Sequence, residues 1–225
     1  MTVNKHAYRN TLARAGKAVL AAAALASITA CSGMVPGGGP APSLYTLSPK
    51  STFDEGLPNV TWQLVVEKST SSGSLATQRI ALTHNPVQTE YFAGARWTEN
   101  APLLVQTLMV ESFENTNKIV AVGRMAIGLR SDFNLKSDLR EFQAEYREPG
   151  QPPTVRVRIN AKLIKQPRRQ IVASRTFERR VKAKGTDMHA VVRAFDKALG
   201  KVIKRVVQWT LQTGHEVGPA KRRTN

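Results

Sequence analysis

The chain has 225 residues, of which 41% are apolar and 22% charged, with 33 Lys and Arg against 16 Asp and Glu for a net charge of +17. That apolar fraction is ordinary for a globular chain and excludes wholesale disorder. A single cysteine excludes an intrachain disulfide framework and a cysteine metal site, so the core alone must hold any folded domain.

Lys5, Arg9, Arg14 and Lys17 precede an Ala/Leu/Val run from Ala18 to Ala30. This is the order of a secretory signal, and the run falls short of the ~20 residues that a spanning helix needs. Ile28-Thr29-Ala30-Cys31 reads as a lipobox, with small residues ahead of a cysteine at the first mature position. On this reading residues 1–30 are a signal peptide. Cys31 then carries a thioether-linked diacylglycerol, and its freed amino group takes a third acyl chain. Two or more chains anchor stably where one is marginal, so the mature protein is expected to be anchored to a membrane without crossing it. The competing readings are a plain secretory signal with an incidental cysteine and an uncleaved N-terminal anchor.

Four of the 33 basic residues lie in the leader, which leaves 29 against 16 acidic ones in about 195 residues, a balance near +13. The secretory signal argues against nucleic acid as the partner of this charge. Anionic headgroups, acidic protein surfaces and cell-wall polymers remain, as does a plain solvated surface. About 195 residues suffice for one domain with a full core.

Residues 31–43 form a Gly/Pro-rich tether, whose reach is ~20 Å as a coil and ~40 Å when extended. The domain proper is expected over 44–213, followed by a basic tail, 214–225, that contains Lys221-Arg222-Arg223. Ser43 to Leu47 reads as an edge strand and Thr61 to Glu67 as a buried one. Ser69 to Ser74 is a loop by composition. Arg79 to Leu82 and Tyr91 to Trp97 read as strands either side of the breaker Asn85-Pro86, with Tyr91, Ala93, Ala95 and Trp97 alternating.

The period then changes. Pro102 suits a first helical turn, and Leu103, Leu104, Leu108, Val110, Glu111 and Phe113 follow at helical spacing up to Asn115-Thr116-Asn117. Lys118 to Val122, Asn134 to Tyr146, Thr154 to Lys165 and Gln170 to Lys182 return to strand patterning. Val155, Val157, Ile159, Ala161 and Leu163 alternate with polar residues, as in a sheet with one wet face. Gln166 to Arg169 makes the turn of an antiparallel hairpin. A long helix from Asp187 to about Gln212 aligns Val191, Phe195, Ala198, Val202, Val206 and Trp209. Lys197, Lys201, Lys204 and Arg205 lie mostly off that stripe. Thr186 or Asp187 can cap its start and Gly214 its end. The fold class is α+β, a largely antiparallel sheet with two helices on one face.

No catalytic, cofactor or metal residues emerge. His84, His189 and His215 share no ligand spacing, and nucleophile-elbow, Walker and dinucleotide motifs are absent from the sequence. Glu141 and Glu145 share a strand face and can be imagined as a carboxylate pair. A charged outer face with Arg140 and Arg147 as partners is the favoured reading. Glu111 and Glu114 read as surface positions. The chain is not expected to be an enzyme.

Several stretches carry a family resemblance. They are Tyr45-Thr46-Leu47-Ser48-Pro49, Leu64 to Lys68, Arg79 to Leu82, Tyr91 to Trp97 running into Ala101 to Gln106, Asp138 to Tyr146, and Phe195 to Leu199. In this order, behind a lipobox, they resemble the ABC-type transport auxiliary lipoproteins that accompany mammalian-cell-entry (MCE) domain systems. The resemblance implies two helices on a sheet, similar to the N-terminal domain of the periplasmic Tol-system protein. It implies a non-catalytic partner of an MCE-domain periplasmic protein with an ABC permease and ATPase, no cofactor, and self-association, since some relatives form rings. Ser32, in place of the Asp that retains lipoproteins at the inner membrane of enteric bacteria, favours an outer-membrane anchor facing the periplasm. The loop Ser69 to Ser74 and Arg96-Trp97 are candidate docking elements, with Trp97 better read as core. The alternative is a stand-alone envelope module that binds anionic lipid or cell-wall polymer.

Overall fold

The computed structural model describes residues 40–125 and 130–218. Cys31, the signal segment, most of the tether and residues 219–225 lie outside them. The folded unit begins at Pro42. Its strands are β1 (Ser43–Tyr45), β2 (Val60–Val66), β3 (Thr70–Ser71), β4 (Arg79–Thr83), β5 (Glu90–Trp97), β6 (Ile119–Gly123), β7 (Phe133–Glu145), β8 (Thr154–Lys165) and β9 (Gln170–Lys182). Its helices are α1 (Ala101–Glu114), between β5 and β6, and α2 (Met188–Val217).

β7 is the spine of the sheet. One of its edges pairs antiparallel with β8 from Phe133 opposite Lys165 to Glu145 opposite Thr154, and β9 continues this antiparallel ribbon. The other edge takes three short strands in succession, all parallel: β2 at Phe133–Leu135, β3 at Asp138–Leu139 and β4 at Gln143–Glu145. β6 adds parallel to β2, β5 antiparallel to β4, and β1 parallel to β5 as an edge strand. The expected α+β class stands, and the long antiparallel ribbon dominates the sheet. The parallel joins are an addition to that expectation.

Both helices pack on one face. α2 lies over β8 and β9, while α1 lies against β2, β6 and α2. Val155, Val157, Ile159, Ala161 and Leu163 point under α2 and are wholly buried. β7 contributes Phe133, Leu135, Ser137 and Leu139 from odd positions, then Phe142 and Ala144 from even ones. The change of parity is a bulge at Arg140, which leaves Leu139 opposite Ile159 and Glu141 opposite Arg158. A regular strand would have turned Glu141 inward with Leu139. The extra residue sends it outward instead.

α2 starts at Asp187, whose Oδ1 accepts from the Ala190 N–H at 2.9 Å. That contact holds the Asp187 carboxyl below its ordinary range. The expected helix end is corrected: α2 runs through Gly214 to Val217, and Gly218, at φ 65°, closes it. Gly214 is there because the Trp62 indole lies against it. In β5 the expected alternation also fails at Ala93, which is exposed. The register between β4 and β5 shifts around Gly94, whose φ of 64° suits glycine.

A strap from Leu47 to Leu57 crosses the outside of both helices. The Ser48 N–H donates to Asp196 Oδ1 (2.7 Å), the Lys50 N–H to Ser112 Oγ (2.9 Å), and Asp54 accepts from Lys204 (2.5 Å) and Gln208 (2.9 Å). Leu47 and Leu57 are buried beneath it.

Candidate functional site

The bulge that turns Glu141 outward builds a charged ladder on the face opposite the helices. Arg156, on β8, reaches Glu145 at 3.5 Å, Glu141 at 3.7 Å and Glu178, on β9, at 3.0 Å. Arg158 donates to Glu141 at 2.5 Å, and Arg180 pairs with Glu178 at 3.2 Å. The Arg156 hydrogen bond, followed by the attraction of Arg156 and Arg180, holds the Glu178 carboxyl below its usual range against the opposing effect of burial. Half-buried, multiply paired ions of this kind hold register across three strands.

Glu141 and Glu145 are therefore on one face, as expected, but their partners are corrected. Arg156 and Arg158 from the neighbouring strand pair with them, while Arg140 pairs with Asp138 at 3.1 Å. The cross-strand partner is the nearer one because opposed residues in an antiparallel pair sit side by side. A guanidinium stands between the two carboxylates, so they do not face one another across an open gap as an acid and a base would.

One end of this ladder opens into a recess of about 500 Å³, walled by Ser72, Ser74 and the loop after β4. Arg140 and Arg180 reach it from the sheet, and Arg147 from the chain just past β7. His84 stacks on Tyr146 with ring centroids 5.2 Å apart and approaches Glu90 at 3.2 Å. Burial pushes the Tyr146 hydroxyl up. Leu75, Ala81 and Leu82 form only part of the lining. The recess suits contact with a polar surface better than shelter of an apolar cargo.

The docking elements divide. Trp97 is core, only 1% exposed, and packs at a tilt against Phe142 (ring centroids 5.5 Å apart) and edge-on to Phe195 (5.2 Å). Arg96 is exposed. The Ser69–Ser74 segment is no simple loop: Thr70–Ser71 form β3, and Ser69 is buried with its Oγ 2.6 Å from Ser137 Oγ. Glu114 is exposed and Glu111 half-buried. His84 sits in the loop after β4, while His189 and His215 lie near opposite ends of α2, where His189 meets the Tyr45 ring at 5.7 Å. Among the described residues no group of His, Cys, Asp or Glu is arranged to hold a metal, and no helix is long and apolar enough to cross a membrane. Sequence reasoning missed Arg156, Arg158 and Glu178 as one network. The signal was present in the alternating Arg156 and Arg158 of β8, but the register that pairs them with Glu141 was not.

A crystal structure of a Xanthomonas campestris protein, from a family named only as a domain of unknown function, matches with a TM-score of 0.73 and 33% identity. The match covers 78% of this chain and 98% of that one. A second solved protein, uncharacterized, shares the fold at TM-score 0.60 and 16% identity, over 80% of this chain and 100% of that one. An uncharacterized protein of Bradyrhizobium diazoefficiens is 28% identical over 180 residues, 79% of this chain and 47% of that protein. The chain thus spans about half the length of the curated relative that it matches. Residues 45–207, from β1 to the middle of α2, match the family described as the ABC-type transport auxiliary lipoprotein component, and the chain belongs to that family.

Proposed function

We propose that the protein is a non-catalytic lipoprotein component of an ABC transport system that passes lipid between membranes through an MCE-domain partner. In this reading Cys31 carries the lipid anchor, the anchor sits in the outer membrane facing the periplasm, and the folded unit docks the MCE assembly there. The observation that carries it is the family match across residues 45–207, which takes in nearly the whole sheet and most of α2. The lipobox Ile28-Thr29-Ala30-Cys31 supplies the anchor. The polar recess on the outer face, with exposed Arg140 and Arg147 at its rim, offers a docking surface that buries no apolar patch.

Co-purification tests this reading. The full-length protein, extracted from its own membranes in mild detergent after cross-linking, should recover an MCE-domain protein together with a permease and an ATPase. Recovery of no MCE-domain protein from cross-linked cells would overturn the docking role.

A further inference from the structure

The opposite margin of the sheet carries charge of another kind. Among the described residues β9 is an edge strand, paired with β8 alone. Its register sets Arg175 opposite Ala161, Phe177 opposite Ile159 and Arg179 opposite Val157. Those β8 residues all point under α2, so Arg175 and Arg179 stand on the helix-covered side of an open edge. Only Phe177 among them is buried. Across from it α2 presents Lys201, Lys204 and Arg205 on successive turns. Between strand and helix lies a recess of about 260 Å³, lined by Asp54, Arg179, Lys201, Lys204, Arg205 and Gln208.

The charges in this recess are unbalanced. Its one carboxylate, Asp54, is committed to Lys204 at 2.5 Å and Gln208 at 2.9 Å, and these hydrogen bonds hold it below its ordinary range. Arg205 donates to the Glu178 carbonyl at 3.3 Å and lies 5.6 Å from the Phe177 ring centre, so its position is fixed but its charge is not neutralised. Among the described residues Arg179, Lys201 and Arg205 have no carboxylate partner. Arg179 above all, then burial and Lys197, push the Lys201 ammonium down, which is the mark of like charges held together.

We propose that this recess binds a phosphate group, with Arg179 and Arg205 presenting guanidinium forks and Lys201 a point charge to its oxygens. A guanidinium matches phosphate oxygens two at a time, and an ammonium adds charge without fixing direction. Inward-pointing cations on an edge strand also deter strand pairing, but that role needs no matching cations from the helix. The inference is independent of the transport reading and holds whether or not an MCE partner exists. The phosphate can come from a lipid headgroup or from a free ion.

The test uses the full-length protein in neutral detergent at fixed ionic strength, with calorimetric titration of two probes. One is inorganic phosphate, and the other is dihexanoyl phosphatidylglycerol below its micelle concentration. Wild-type protein should bind at least one probe, the lipid alone if the headgroup is the source and inorganic phosphate if the free ion is. Arg179→Gln and Lys201→Gln should each weaken binding about tenfold or more, in line with the loss of one charged hydrogen bond. Lys136→Gln, which removes an exposed cation of β7 on the outer face, should leave it unchanged. Without ligand, Lys201→Gln should melt at or above the wild-type temperature, because a repelled charge has gone. Wild-type protein binding neither probe, equal binding by both recess variants, or a lower melting point for Lys201→Gln would each overturn the proposal.

Discussion

Two glycines in α2 give a paired test of how the core is packed. A Cβ placed on Gly214 would lie 2.4 Å from Trp62 Cζ2, 3.0 Å from Cε2 and 3.1 Å from Cη2. Trp62 cannot withdraw cheaply. It is 2% exposed and set edge-on to Phe133, with ring centroids 5.0 Å apart. Gly200, in the same helix, would meet only Lys50 Cδ at 4.0 Å, the far end of a flexible side chain. Replacing a helical glycine by alanine gains about 1 kcal/mol where space allows. Forcing an extra carbon into a packed site costs about 1–3 kcal/mol.

Gly200→Ala should therefore stabilise by up to about 1 kcal/mol, while Gly214→Ala should gain nothing and destabilise by up to about 2 kcal/mol after the propensity gain is set against the clash. At about 2–4 °C per kcal/mol for a domain of this size, thermal unfolding followed by far-UV circular dichroism separates the two. In a Trp62→Leu background the cost of Gly214→Ala should vanish, a coupling on the order of 1 kcal/mol or more for groups in contact. If Gly214→Ala melts as high as Gly200→Ala, the close approach of Trp62 does not decide the glycine, and the reasoning fails.

Two further outcomes follow from the charged groups and the anchor. Glu178 has its carboxyl held below the unfolded value of 4.5 by Arg156 first, so its contribution to stability is complete above that pH and lost as pH falls through the lower folded value. Glu178→Gln should lower the neutral-pH plateau and flatten the acid limb of a melting-temperature profile, and an unchanged acid limb would contradict the pairing. Cys31→Ser should leave the melting temperature as it was but move the protein from the membrane pellet to the soluble fraction. A variant still pelleting would refute lipid anchoring at Cys31.

What the sequence revealed and what it hid follow one division. The alternation of Val155 to Leu163 and the stripe from Val191 to Val206 are local periods, and both survive into the fold because one face of each is wholly buried. The bulge at Arg140 was not legible, since inserting one residue shifts parity without any marker in composition. Gly214 was misread as a helix end because its requirement comes from Trp62, more than 150 positions earlier in the chain. The strap from Leu47 to Leu57 was missed for a like reason: it has no period of its own, and its contacts with Ser112, Asp196 and Lys204 all come from distant elements. The cations of α2 were visible off the apolar stripe. Their convergence with Arg179 needed the β8–β9 register.

That convergence bears on how a net charge of +17 is deployed. On the outer face Arg156, Arg158 and Arg180 are matched against Glu141, Glu145 and Glu178, so their fields largely cancel beyond contact distance. At the β9–α2 margin Arg179, Lys201 and Arg205 are not matched, and their field extends for the ~8–10 Å that physiological salt allows. The two faces must therefore differ in what they attract and in how salt affects it. Contacts along the paired ladder of the outer face would depend on shape and hydrogen bonds and resist added salt. Attraction of anions would concentrate at the α2 margin and fall steeply as salt rises.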